Sequence, residues 1–192
     1  MLLATRCPGC GRTGPAPCAP CVAGMARSVP VPVPPSFDSC RALLDYEGAA
    51  REVVAQLKYR NARSTADWLG QGLAGLVHPG EVELITWAPT TDLRRRRRGF
   101  DHAELLARRV ARQLGLPCRS LLSRAPGPPQ TGRSLLDRHT GPAFLPTRRL
   151  DGRRVAVVDD VVTTGATLEA AGRALRAVGV GRLLGLAAAH PR

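Results

Sequence analysis

The sequence predicts an α/β protein in which a mainly parallel sheet is flanked by helices, with a small four-cysteine module at the N-terminus. Three observations lead to this prediction. The run Val155–Val158 is apolar at every position, as expected of a parallel strand that helices cover on both faces. Other short apolar segments alternate with segments of helical periodicity, which favours β-α-β crossovers. Two Cys-x-x-Cys pairs lie within the first 21 residues, a spacing typical of structural zinc sites.

Length and charge limit the possible classes. At 192 residues the chain has room for one ordinary domain and a small module. Its formal net charge of +13 comes almost entirely from arginine, since Lys58 is its single lysine, and favours acidic partners such as polyphosphorylated sugars or nucleic acid. No apolar run is long enough to span a membrane, and Met1–Leu3 is too short for the core of a signal peptide. We therefore expect a cytoplasmic protein that is not inserted in a membrane.

The chain divides into three parts: residues 1–28 form the four-cysteine module, 29–45 a proline-rich linker and lead-in, and 46–192 the main domain. The expected zinc ligands are Cys7, Cys10, Cys18 and Cys21. Disulfides are the alternative, but a cytoplasmic chain disfavours them, and so small a segment needs a metal ion to fold. The prolines of VPVPVPP exclude a helix from residue 29 onward, which predicts an extended, semi-rigid spacer.

The main domain alternates between helix and strand patterns. Apolar residues recur at helical spacing around Ala50–Leu57 and Leu69–Val77, which predicts two helices. A D-x-x-E capping box, Asp101 and Glu104, predicts the start of another helix that ends at Gly115. Strands are expected at 82–88, 116–122 and 183–189, and a long loop at 123–146.

The stretch that is most informative about function begins where the run Val155–Val158 ends. Asp159 and Asp160 follow it, and a threonine-rich turn then leads into an apolar-periodic helix. Ligands of parallel sheets bind beyond the carboxyl ends of the strands, and a helix N-terminus with free N–H groups suits a phosphate. The acids would repel that phosphate, so they are better suited to accept hydrogen bonds from hydroxyl groups or to hold Mg²⁺ in an outer shell. A sugar phosphate with a free diol satisfies both halves of the pattern.

Other strands that end in acids include the Walker B strand and the acidic pocket of response regulators. The chain has no G-x-x-x-x-G-K-[ST] loop, and this turn has no G-x-G-x-x-G fingerprint. Instead, DDVVTTGAT resembles the phosphoribosyl-pyrophosphate (PRPP) signature of type I phosphoribosyltransferases. The resemblance implies that the two acids bind the ribose hydroxyls as catalytic residues, with Mg²⁺ accompanying PRPP, and that the turn binds the 5′-phosphate. The implied PRPP-binding residues are Asp159, Asp160, Val161, Thr163, Thr164, Gly165, Ala166 and Thr167.

Five consecutive arginines follow the strand expected at 82–88, on the ligand side of the sheet. They are Arg94, Arg95, Arg96, Arg97 and Arg98. A solvated loop or a nuclear-localisation tract would also contain such a run, but its position at a strand end argues against both. Guanidinium groups fit pyrophosphate oxygens and a nucleic-acid backbone equally well, so both ligands stay open.

The segment APTTDLRRRRRGFDHAELLA is similar to the corresponding segment of ComF-type proteins, the competence-associated branch of the phosphoribosyltransferases. This chain has Asp101 and His102 where the family pattern is R-G-F-N-Q-A, and its Arg138–Gly141 departs from the expected R-x-x-N. The resemblance implies a role in natural transformation, with PRPP, single-stranded DNA and other competence proteins as partners, and a mobile hood over the sugar at 123–146. It leaves open whether the protein transfers a phosphoribosyl group or is a binding module. The histidines His102, His139 and His190 have no metal-like spacing and are expected at the surface or at helix ends.

Overall fold

A computed structural model of the chain describes residues 5–57, 63–91, 96, 99–125 and 142–192. The helices are α1 (Ala19–Ala23), α2 (Gly48–Gln56), α3 (Arg63–Ala74), α4 (His102–Leu114) and α5 (Ala166–Arg176). The strands are β1 (Ser39–Asp45), β2 (Leu84–Trp87), β3 (Leu122–Arg124), β4 (Phe144–Pro146), β5 (Arg154–Val161) and β6 (Arg182–His190). No helix within the described ranges is long and apolar enough to cross a membrane.

Four strands form one parallel sheet in the order β1-β6-β5-β2. Along β5, Val155 and Val157 pack into the core on the α5 side, whereas Ala156 and Val158 pack into the core formed with α2, α3 and α4. Successive side chains of a strand point to opposite faces, so covering both faces requires apolar residues at every position. The predicted fold class is therefore confirmed, and β5 lies in the interior of the sheet.

The segment between the cysteine module and the main domain contributes to the sheet. Strand β1 pairs with β6 along its whole length, so this lead-in becomes an edge strand. The chain that leaves the module runs antiparallel to the end of β1: Asp45 N–H donates to Ala26 O at 3.0 Å, and Ser28 N–H donates to Leu43 O at 3.3 Å. We propose on this basis that the main domain begins with β1.

The proline-rich segment forms no helix, as expected, but it does not stand free. Val31 and Phe37 are buried in the core beside α5. The backbone N–H and Oγ of Ser36 both donate to the carboxylate of Glu169 on α5, each at 2.8 Å. Arg176, at the end of the same helix, donates to Ser36 O at 3.0 Å and pairs with Asp38 at 2.7 Å. The expected spacer is thus a strap bound across α5.

The strand expected at 116–122 is wrong in its position. Within the described part of the chain, only a bridge between Cys118 and Ile85 extends the sheet beyond β2, and β3 pairs instead with β4 in a two-stranded antiparallel ribbon. Pro117 lacks a donor, and only its carbonyl and the N–H of Arg119 bond to Ile85, which limits pairing at this edge. The ribbon begins and ends the long segment expected as a hood, and residues 126–141 of that segment lie outside the described residues.

Helix α4 begins and ends as predicted. The Asp101 carboxylate accepts from the N–H groups of Ala103 and Glu104, and Gly115 ends the helix in the left-handed conformation with φ 66°. The side chain of Glu104 pairs with Arg108 at 2.7 Å, one helical turn further on. The aspartate half of the predicted capping box is therefore confirmed, and the glutamate serves an i,i+4 ion pair.

Candidate functional site

The two acids of the signature continue the alternation of β5 at its carboxyl end. Asp159 follows the parity of Val157 and lines a cavity of about 30 Å³ that the turn encloses with the start of α5. Asp160 faces the other helical layer, where its Oδ2 lies 4.0 Å from Nδ1 of His102 on α4. The carboxyl ends of β5 and its neighbours meet at this edge, so the acids stand where parallel sheets bind ligands.

The turn after β5 leaves a helix N-terminus without a side-chain cap. Gly165, at the N-cap of α5, is left-handed with φ 75°. Because glycine has no side chain, this position lacks the capping oxygen that Ser or Asp would supply. The first helical hydrogen bond runs from Glu169 N–H to Gly165 O at 2.8 Å. The N–H groups of residues 166–168 precede it, and only that of Ala166 reaches a nearby hydroxyl, Thr164 Oγ1, at 3.4 Å. The turn thus presents backbone donors and exposed threonine hydroxyls to an anion.

The carboxyl group of Asp159 is held against its own ionisation. Burial, and then the charge of Asp160, raise the pKa of Asp159 well above its usual value of 3.8, although the N–H of Asp160 donates to it at 2.8 Å. The carboxylate of Asp160 accepts in the same way from Val161 N–H at 2.8 Å. Hydroxyl donors or a hydrated cation brought to this pair would favour the doubly ionised form. The arrangement therefore fits the diol, and the outer-shell Mg²⁺, that the acids suggest.

Two histidines that were expected at the surface or at helix ends are buried beside this site, and one of them, His102, is the first residue of α4. His102 is 6% exposed and meets the ring of Phe100 edge-on, with 5.3 Å between ring centroids. His190 is 8% exposed, and its Nδ1 lies 2.8 Å from Val162 O at the start of the turn. The helix-end alternative is confirmed for His102, and the expectation was wrong for His190, which is buried at the end of β6, because it rested on metal-like spacing alone. The position of His190 at the end of the apolar run 183–189 was the available signal.

The buried carboxylate of Asp101 contacts the chain on both sides of the segment that contains Arg94–Arg98. Asp101 accepts from Thr90 N–H at 2.8 Å, before the loop, while it caps α4 after the loop. Burial raises the pKa of Asp101, although the backbone donors oppose the shift. Arg96 lines a cavity of about 570 Å³, and the other arginines of the run, at 94, 95, 97 and 98, lie outside the described residues. The remaining lining residues are Gly99, Phe100, Asp101, Glu104, Leu105 and Arg108.

The four N-terminal cysteines come together as the spacing predicted. Their sulfurs all lie within 4.8 Å of one another, and Sγ of Cys10 and Cys18 are 3.6 Å apart. A tetrahedral zinc ion with Zn–S bonds of about 2.3 Å separates its sulfurs by about 3.8 Å, so this cluster can hold a metal ion. Cys7 lies in a knuckle whose Gly11 N–H donates back to Cys7 O at 2.8 Å, and Cys18 immediately precedes the short helix α1.

The thiols of this cluster have opposed pKa shifts. Burial raises the pKa of Cys7, but hydrogen bonds from the backbone of Cys18 and Cys10 outweigh it and lower that pKa to about 6. The hydrogen bond to the side chain of Cys18, followed by that to Cys7, raises the pKa of Cys21 to about 12. Sulfurs this close cannot all ionise unless a cation neutralises them, which is the chemistry of a structural metal site.

The chain is similar to a known protein family and to a known protein. Residues 101–190 match the family model described as phosphoribosyl transferase domain. The chain is 30% identical over 164 residues to Competence protein F of Haemophilus influenzae, in an alignment that covers 76% of this chain and 70% of that protein.

Two solved structures have similar folds. One is the allosteric regulatory enzyme of purine biosynthesis, with a TM-score of 0.49 and 17% identity over 70% of this chain. This chain spans only 30% of the length of that enzyme. The other is a purine phosphoribosyltransferase from Pyrococcus horikoshii, with a TM-score of 0.43 and 18% identity over 64% of this chain and 70% of that one. At these TM-scores, neither similarity bears on activity.

Proposed function

This chain belongs to the ComF-type family of phosphoribosyltransferase-domain proteins, and we propose that it binds PRPP at the carboxyl end of β5. One observation carries the proposal: paired carboxylates and an uncapped helix N-terminus lie at the same strand end, 159–167. A sugar diol needs the first and a phosphate needs the second. From the family membership we further propose a role in natural transformation, in the cytoplasm, alongside other competence proteins.

The residues of this edge divide the proposed ligand between them. Asp159 and Asp160 accept hydrogen bonds from the ribose hydroxyls, and the turn Thr163–Thr167 donates to the 5′-phosphate. Arg96, in the run that follows β2, lines the cavity beside Phe100 and Asp101, and we assign the pyrophosphate to this side of the site. When Mg²⁺ is bound, it neutralises pyrophosphate charge. If an acceptor is present, the bond from the anomeric carbon to pyrophosphate breaks as the acceptor bonds to that carbon, and arginines stabilise the departing charge.

The N-terminal cluster is proposed to hold one structural zinc ion through Cys7, Cys10, Cys18 and Cys21. All four donors are sulfurs, which is typical of a closed structural site with no open position for a substrate.

Titration calorimetry with PRPP and MgCl₂ tests the proposed site. The double variant Asp159→Ala, Asp160→Ala should lose at least about tenfold in affinity, because charge-assisted hydrogen bonds contribute about 1.5–3 kcal/mol each. The double variant Glu47→Ala, Glu52→Ala, which removes two exposed acids at the start of α2, controls for the change in net charge. Equal affinities of the double variant and the wild type would exclude this site. A pyrophosphate-release assay with candidate acceptors then separates an enzyme from a PRPP sensor.

A second candidate function is binding of single-stranded DNA. The cavity at Arg96 combines guanidinium groups with the ring of Phe100, and the net charge of the chain is +13. Backbone phosphates bind to guanidinium groups, and an unpaired base can stack on an aromatic ring. In this function PRPP would act as a regulator rather than as a substrate.

A further inference from the structure

We propose that His190 is a positioning residue for the phosphate-binding turn, and that its Nδ1–H sets the orientation of that turn. The inference rests on the proposed function for its consequence, since the turn matters only if it binds the sugar phosphate. The contacts that support it are independent of any ligand.

The end of β6 holds both backbone polar groups of Val162, the residue that begins the turn. Val162 N–H donates to Ala189 O at 3.1 Å, and Nδ1 of His190 lies 2.8 Å from Val162 O. Val162 itself is only 3% exposed. A buried carbonyl without a partner destabilises the conformation that buries it, so the imidazole fixes the direction in which the chain leaves β5.

The chemistry of this contact defines which nitrogen does the work. A carbonyl oxygen only accepts hydrogen bonds, so Nδ1 of His190 carries the proton and donates. The backbone of His190 is held in turn, because its carbonyl accepts from Tyr46 N–H at 3.0 Å after β1. Asp45 is its register partner on β1 and is paired with Arg192. The imidazole therefore connects the end of β6, which is itself hydrogen-bonded to the residue after β1, with the start of the turn.

The rest of the turn has few contacts that could replace this one. Thr163 and Thr164 are exposed, and the bond from Ala166 N–H to Thr164 Oγ1 is long at 3.4 Å. Among the described residues, the turn is anchored at Val162 on one side and by the first helical bond of α5, at Gly165, on the other. Loss of the first anchor leaves the backbone donors of the turn free to point away from a phosphate.

Replacement of each imidazole nitrogen in turn tests the role of Nδ1. The amide nitrogen of Asn can take the place of Nδ1, whereas that of Gln takes the place of Nε2. We therefore compare His190→Asn, His190→Gln and His190→Ala with the wild type, and use His78→Gln, an exposed histidine after α3, as control. Two readouts are measured: PRPP affinity by calorimetry with MgCl₂, and deuterium exchange of the amides at 163–168 without ligand.

The expected result is that His190→Asn and His78→Gln match the wild type in both readouts. His190→Gln should bind PRPP about 5- to 10-fold more weakly, as expected from the loss of one buried hydrogen bond, and its turn should exchange faster. The proposal is overturned if Gln matches the wild type in turn exchange, or if Asn and Gln are equally impaired. If the Ala variant does not fold, the Asn and Gln pair still decides. If the wild type itself does not bind PRPP, the proposed function fails, while the exchange readout still tests His190.

Discussion

The carboxyl group of Asp159 shows how a single residue can oppose the stability of its own fold. Asp159 lies beside Asp160 and beside the turn that leads into α5, so burial and a like charge both disfavour its ionised form. Ionisable groups in such surroundings are concentrated at functional sites, where a bound ligand can supply the hydrogen bonds or the positive charge that stabilise the ionised form. Here that ligand would be a donor of hydroxyl hydrogen bonds.

The change Asp159→Asn should stabilise the free protein and weaken its binding of PRPP. A folded-state pKa above 3.8 means that stability is fully present below that value and is lost as the pH rises through the folded pKa. At neutral pH the variant should therefore gain about 1.4 kcal/mol for each unit by which the pKa is raised, and at acidic pH the gain should vanish. Urea unfolding at both pH values measures this difference.

The exposed residue Asp151 provides the matched control for that experiment. It precedes β5 at the opposite end of the strand, and Asp151→Asn makes the same chemical change in water. A neutral-pH gain of the same size in both variants would contradict the burial of Asp159 as the cause.

At the scale of elements, the strap and α5 depend on a close approach at Gly172. A Cβ at this position would lie 2.6 Å from Cε2 of Phe37 and 2.7 Å from Cβ of Ser36. The strap then continues to Pro34, which packs against the Gly165 turn. The proline-rich segment thus approaches both α5 and the candidate phosphate site.

Gly172→Ala should displace this strap and destabilise the protein by about 1–3 kcal/mol, as for an overpacked core. Chemical denaturation measures the change. Gly75→Ala is the control, because a Cβ there meets nothing closer than a backbone oxygen at 3.4 Å. If both variants unfold at the same denaturant concentration, the strap is not tightly packed on α5.

Removal of zinc should unfold the cysteine module before the main domain. The module has little buried apolar surface of its own, since Cys7 and Pro17 are its only buried residues among those described, so we expect a bound metal to supply its folding energy. Elemental analysis should give about one zinc per chain, and a Cys10→Ala variant should lose it. A native protein with a disulfide between two of the four cysteines would contradict this prediction.

At the scale of the whole molecule, the main feature is its formal net charge of +13. The chain has 28 lysine and arginine residues against 15 acidic ones, and the run Arg94–Arg98 follows β2 in the sequence. Exposed arginines also occur at positions 148, 149 and 153, just before β5. Replacing three arginines in either group changes the net charge equally, so a pair of triple variants separates a specific contact from net electrostatics.

Binding of single-stranded DNA should weaken linearly in log–log plots against salt, with a slope of about −0.7 for each phosphate neutralised. The triple change of Arg95, Arg96 and Arg97 to Ala should flatten this slope, whereas Ala at Arg148, Arg149 and Arg153 should alter it less. Fluorescence anisotropy with a labelled oligonucleotide measures both. Equal slopes for the two triple variants would mean that the run is not the DNA contact, and saturating PRPP should compete if the run serves both anions.

The sequence by itself determined what local patterns encode. Val155–Val158 predicted an interior parallel strand, because a strand buried on both faces needs an apolar residue at every position. The cysteine spacing predicted the sulfur cluster, and Asp101 predicted the start of α4, because capping and knuckle geometry span only a few residues. The acids and the turn were also adjacent in sequence, so their common location followed from one strand end.

Only the tertiary structure decided what depends on partners far apart in the chain. His190 acquires its role from Val162, and Ser36 acquires its role from Glu169, 133 residues away. The segment 116–122 had a strand pattern, yet its pairing was limited by which neighbour the sheet edge offered. Hydrogen bonds between distant segments are fixed by the packing of whole elements, so the local sequence does not identify their partners: the apolar run before His190 indicated burial but not the contact with Val162.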